Sequence, residues 1–164
     1  MSPVTITYLE MRDRSQLRPK TTSDPRFRVV EAKENDGEFN RSLYILVGET
    51  WAWQDKLVWS PEQWNSYAES ENLKTFVAYF DEAIAGYFEL LIHEQNVEIK
   101  YFGLTPDFIG KGLGGVLLTK AIEAAWQLNP SRVWVHTCTL DHPAALQNYL
   151  SRGMIVYEVL TEKD

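Results

Sequence analysis

Residues 106–115 read Pro-Asp-Phe-Ile-Gly-Lys-Gly-Leu-Gly-Gly, and four of the chain's nine glycines lie among them. On one side is the apolar run VEIKYFGL (97–104); on the other is LGGVLLTKAIEAAWQL (113–128), with apolar residues at helical spacing. The order is therefore strand, glycine turn, helix. A helix N-terminus carries unpaired backbone N–H groups and the positive end of the helix dipole. Glycines ahead of it let the backbone curl and let an anion approach with no Cβ in the way. A plain turn needs one glycine or a pair; four glycines with Lys111 point to a phosphate cradle.

Two familiar phosphate loops fail on context. Gly110 to Gly115 fits G-x-G-x-x-G, but a dinucleotide fold puts that string near the start of a long parallel sheet, and only about 50 residues follow it here. A nucleoside-triphosphate loop needs Gly-Lys-Ser/Thr at its end, whereas Val116 follows Gly115.

Working outward, alternation and β-branching predict strands at 4–11, 27–33, 74–80, 84–92, 97–105, 132–140 and 154–160. Asp81-Glu82-Ala83 forms a tight hairpin and Gln95-Asn96 a second turn. Helices are expected in DGEFNRSLYILVGET (36–50), with Gly48 as a candidate end, after Ser60-Pro61-Glu62-Gln63, after the glycines as far as Asn129-Pro130, and at 142–152. Ser60 and Gln63 have the spacing of a reciprocal capping box. Asp141 is expected to start the last helix and Gly153 to end it. The order β-β-α-α-β-β-β-α-β-α-β reads as an α+β fold: a mostly antiparallel sheet with helices on both faces.

The 164 residues suit a single domain with a sizeable core. Cys138 is the only cysteine, so no internal disulfide can form, which fits a reducing, cytoplasmic setting. The opening MSPVTITYLEMRDR shows no signal peptide, and no apolar run is long enough for a membrane helix. A net charge of −7 argues against a nucleic-acid partner and favours cationic ones. His93, His136 and His142 lack metal-ligand spacing, so no metal is expected; His136 reads as a sheet residue. Cys138 reads as inert core.

Residues 74–160 resemble the GNAT superfamily of acyl-CoA-dependent N-acyltransferases. The family signature Gln/Arg-x-x-Gly-x-Gly/Ala falls on Asp107-Phe108-Ile109-Gly110-Lys111-Gly112. The glycines match; Asp107 departs and cannot donate to a phosphate, but the backbone cradle does not depend on it. A second match, AALQNYLSRGM, resembles Ala-x-x-x-Tyr-x-x-x-Gly-Phe, with Ala145, Tyr149 and Gly153 in register and Met154 for Phe. His142 stands where the family often has Asn.

The resemblance implies acetyl-CoA as donor and an amine acceptor. Its pyrophosphate would lie on Ile109, Gly110, Lys111, Gly112, Leu113, Gly114 and Gly115. The strand through Phe102, Gly103 and Leu104 would splay from strand 132–140, with pantetheine in the gap. Backbone N–H groups there would serve as oxyanion donors, and Gly103 permits a bulge or close approach.

The chemistry needs a base, because a free alkylamine has a pKa of about 10.4. It also needs a proton donor for the departing thiolate. Glu98 is the first candidate base; alternation would give it a face shared with Lys100, Phe102 and Leu104. Glu89 is the alternate base, directed to an end of the sheet or into the cleft. Tyr149 is the candidate acid, since a phenol of pKa about 10 stays protonated at neutral pH. Trp51 and Trp53 are candidates for holding a cationic acceptor against an indole face. The acceptor could be a small-molecule amine or a protein amine, either an N-terminus or a lysine. A homodimer is compatible with the sequence. The reading from another class is a CoA-binding sensor or interaction module without turnover.

Overall fold

The computed structural model describes residues 3–33, 36–49, 53 and 56–162. Seven strands form one sheet: β1 (Val4–Met11), β2 (Phe27–Glu31), β3 (Leu73–Phe80), β4 (Ala83–His93), β5 (Asn96–Leu104), β6 (Arg132–Cys138) and β7 (Ile155–Glu162). Their order across the sheet is β2-β3-β4-β5-β6-β1-β7. Every neighbouring pair is antiparallel except β5 and β6. The parallel pair needs a crossover, which α3 (Gly114–Trp126) supplies.

The helices divide between the two faces. On one face lie α1 (Gly37–Gly48) and α2 (Pro61–Ala68). Leu43 and Val47 of α1 close a core over Val77 and Tyr87. The Ser60–Gln63 capping box forms as the sequence predicts. On the other face, α3 packs Val116, Leu117, Leu118, Ala121, Ile122 and Ala125 into the main core, joined by Tyr149 of α4 (Ala145–Ser151).

Two features depart from the sequence reading. The last helix is shorter than 142–152, because Asp141 caps a turn instead of starting a helix. Its carboxylate accepts from Thr137 Oγ1 at 2.6 Å and Cys138 N at 3.0 Å, and α4 begins at Ala145 with no side-chain cap. Second, the alternation through Glu98 and Lys100 breaks at Tyr101, whose φ is +49°. The register with β4 shifts there, from Glu89 opposite Lys100 to Tyr87 opposite Gly103. Tyr101 therefore packs with the α1-side core, while Phe102 and Leu104 pack with the α3-side core. Glu98 and Lys100 thus lie on the face opposite Phe102 and Leu104. The strand expected at 154–160 forms as β7, an outer strand whose side chains are all exposed, including Ile155, Tyr157, Val159 and Leu160.

Gly153 is needed where it stands. Its φ is +103°, and an added Cβ would collide with the Gln16 carbonyl oxygen. Gly153→Ala is expected to cost more than about 1 kcal/mol of stability, read as a lower urea midpoint at unchanged m. An unchanged midpoint would show that the loop at Gln16 yields freely.

Candidate active site

The parallel pairing of β5 and β6 spans only Asn96–Glu98 and Arg132–Trp134. Beyond that the strands separate, as the splayed central pair of the sequence reading requires. A cavity of about 920 Å³ occupies the gap. Its walls come from both faces of the sheet. Phe102, Leu104, Gly110, Gly114, Gly115 and Tyr149 line the α3 side; Trp53, Lys56, Glu98, Lys100 and Tyr101 line the α1 side. The Tyr101 bulge is what presents successive β5 residues to both halves.

At the α3 end, Gly110 and Gly112 have φ of +83° and +78°, which glycine adopts without strain. The helix N-cap, Leu113, makes no side-chain cap and is buried in the core. Ile109, Gly110, Gly114 and Gly115 face the cavity, whereas Lys111 sits with its ammonium 5.8 Å from the Phe108 ring.

The sequence reading missed two cations here. A Cβ on Gly115 would lie 2.8 Å from Lys20 Cδ and 3.5 Å from Arg152 Nη1. Lys20 N donates to Thr119 Oγ1 at 2.9 Å, which ties its loop to α3. Arg152 Nε is buried without a hydrogen-bond partner. Two cations at the positive end of a helix repel it and each other, so the arrangement suits a bound anion. The residues present fit the phosphates of a CoA thioester. The only sequence hint was basic residues in otherwise ordinary loop and helix-end segments.

Tyr149 lines the cavity, with its ring centroid 6.2 Å from that of Phe102. Burial, with the nearby Asp141 charge, raises its phenol pKa, so it stays protonated through neutral pH. Asn148 Nδ2 donates to Gly114 O at 3.1 Å and fixes α4 against the first turn of α3.

Glu98 is buried and lines the same cavity. Burial raises its carboxyl above the usual range, a shift that Lys100 and Lys56 partly offset. His136 Nε2 lies 3.5 Å from Glu98 Oε2. Burial, reinforced by Lys100, holds that imidazole below its ordinary pKa, so the contact joins a neutral ring to the carboxyl. His136 is thus a cavity residue that strand alternation alone had marked as structural.

Glu89 is placed differently. It is fully buried under α1 and α2, outside the cavity wall. Its oxygens accept from Tyr67 Oη and, at 2.9 Å, from Asn40 Nδ2. Burial raises its pKa too, with the two hydrogen bonds opposing. Of the two tryptophans marked for the acceptor, Trp51 lies outside the described residues. Trp53 faces the cavity, packs on Tyr44 and Tyr101, and donates through Nε1 to Asp141 Oδ1 at 3.3 Å. Among the described residues, no group of three or more His, Cys, Asp or Glu side chains is placed to hold a metal ion, and no helix is long and apolar enough to cross a membrane.

A mixed sheet opened between two parallel strands, with a glycine-rich helix N-terminus at the mouth of the gap, defines the acyl-CoA-dependent acyltransferase architecture. The family model for the acetyltransferase (GNAT) family matches residues 29–154, and this chain belongs to that family. The family takes acetyl-CoA as its acetyl donor.

Solved structures share the fold at low identity. A GCN5-related N-acetyltransferase from Sphaerobacter thermophilus superposes with a TM-score of 0.70 at 16% identity, over 98% of this chain and 51% of that one. One from Kribbella flavida gives 0.63 at 14% identity, over 95% and 55%. An aminoglycoside acetyltransferase from an uncultured soil metagenomic sample, in complex with sisomicin, gives 0.66 at 18% identity, over 80% and 90%. The chain thus spans little more than half the length of the first two.

Proposed function

We propose that this chain transfers an acetyl group from acetyl-CoA to a primary amine by direct attack. One observation carries the reading: a single cavity through the sheet joins the glycine cradle, Tyr149, Glu98 and His136. The donor supplies an activated acyl carbon held as a thioester. Lys20, Arg152 and the first N–H groups of α3 would hold its phosphates, and Phe102 and Leu104 would flank its thioester arm. Glu98 accepts the proton of the incoming amine, and the neutral imidazole of His136 beside it can relay that proton outward. Tyr149 remains protonated and donates toward the departing sulfur. The buried, doubly bonded Glu89 is assigned to scaffolding rather than to base catalysis. The insertion of β1 between β6 and β7 supports reading the chain as one domain.

Release of free thiol from acetyl-CoA, measured against a panel of amines, tests the proposal. Amine-dependent release supports it; CoA binding with no release for any amine would favour a sensor without turnover. Tyr149→Phe is expected to lower turnover roughly 10–1000-fold while CoA affinity stays within a few-fold, because the proton is lost and the packing kept. Equal turnover across several pH values would reduce Tyr149 to a core residue.

A further inference from the structure

The α1 side of the cavity already holds an amine. Lys56 is 7% exposed, which is rare for lysine, and it lines the cavity with Glu98. Its Nζ stands 4.3 Å from the ring centroid of Trp59, 5.1 Å from Tyr67 and 4.9 Å from Tyr101. Those rings come from the connection between α1 and α2, from α2 itself and from the β5 bulge. Each is itself braced: Trp59 on Trp64 and Tyr67, Tyr101 on Tyr44 and Trp53. Lys56 N also contacts Tyr44 Oη at 3.3 Å, so the backbone at this residue is held in place. Aromatic faces around an ammonium form a cation site. Here the site opens on the gap between β5 and β6, and Glu98 lies three residues before Tyr101 on the same strand.

We propose that Lys56 is an internal acceptor: the chain acetylates its own Lys56 side chain from acetyl-CoA. The inference rests on the acetyltransferase reading above and narrows the acceptor to a primary alkylammonium of lysine type. The ammonium first gives one proton to Glu98, which passes it to solvent. The neutral Nζ attacks the thioester carbonyl carbon, the N–C bond forms and the C–S bond breaks with its electron pair on sulfur. The second proton ends on that sulfur, leaving an amide and a free thiol. The product is uncharged, so the aromatic site loses its cation and Glu98 loses a neighbouring positive charge. The acetylated chain would thus differ from the unmodified one in how it receives an external amine.

The test incubates the full chain with acetyl-CoA and no added amine, followed by intact-mass and tryptic peptide analysis. Lys56 should gain one acetyl group and resist trypsin, at least about tenfold faster than the exposed Lys111 and Lys120, because a positioned amine has a high effective concentration. The rate should not change when the protein is diluted, and Glu98→Gln should slow it. Lys56→Arg keeps a cation in the ring cage and should remove the rapid label. Labelling of Lys56 no faster than Lys111 and Lys120 overturns the inference. A rate proportional to protein concentration overturns transfer within one chain. If wild type turns over added amines while Lys56 stays unlabelled, this inference falls and the acetyltransferase reading stands. If neither reaction occurs, both fall.

Discussion

Glu98→Gln should lower turnover by about 100- to 10,000-fold and flatten the acidic limb of the pH–rate profile. With Glu98 as the proposed base, the carboxylate would be the active form, and activity should be lost as pH falls through the Glu98 pKa. Burial raises that pKa, so the limb should lie above the ordinary carboxylate range. Glutamine keeps the shape and the contact to His136 but cannot take a proton. If Glu98 instead binds the acceptor as a cation, KM rises and the limb keeps its shape. If Glu98→Gln leaves the profile intact while Glu89→Gln flattens it, the base lies one strand away. That outcome would require the bonds from Tyr67 and Asn40 to open.

The same substitution has a stability signature of defined sign. A carboxyl with a raised folded-state pKa holds more protons in the native than in the unfolded chain, between the unfolded pKa and the raised one. Stability then falls as pH rises through that window. Glu98→Gln should therefore be at least as stable as wild type at neutral pH, with the difference vanishing below about pH 4, where the unfolded carboxyl is also protonated. A variant both inactive and less stable at neutral pH would point to misfolding rather than a lost base. Urea midpoints at the two pH values separate these cases.

The division between what the sequence disclosed and what it hid follows from the range of the interactions. Strand 4–11, the hairpin at Asp81 and the Ser60–Gln63 box depend on neighbours a few residues away, and they form as read. The glycine junction was legible because its composition exceeds what a turn requires. The face of Phe102 was not, because it depends on a positive φ at Tyr101, a residue type that rarely adopts one. Once that bulge is present, every side chain after it changes sides. Asp141 offered a plausible helix cap, but the hydroxyl of Thr137 on the preceding strand claimed it. The buried surroundings of Glu89 come from α1 and α2 together, and periodicity cannot say which helices cover which strand. Lys56 is hidden for a similar reason: its ring cage is assembled from three separate elements.

Arg152→Glu is expected to weaken acetyl-CoA binding by more than about tenfold, since a charge-assisted hydrogen bond contributes roughly 1.5–3 kcal/mol and the reversal adds repulsion. Gly115 leaves room for Lys20 and Arg152 to approach the first turn of α3. Without an anion, these cations face the positive helix end, and Arg152 Nε lacks a partner. Arg152→Gln should therefore leave the ligand-free protein as stable as wild type, or make it more stable. A structural arginine would do the opposite. Acetyl-CoA stabilises the native state in proportion to its affinity, so its shift of Tm should shrink in both variants, and most in Arg152→Glu. Wild-type affinity should fall as salt rises, and the slope should be shallower in Arg152→Gln. Lys20→Gln should act in the same direction, because its ammonium approaches the same turn from the opposite end of the chain. If affinity, Tm shift and salt slope are all unchanged in Arg152→Glu, the phosphates are held by backbone N–H groups alone, and the two cations serve another purpose.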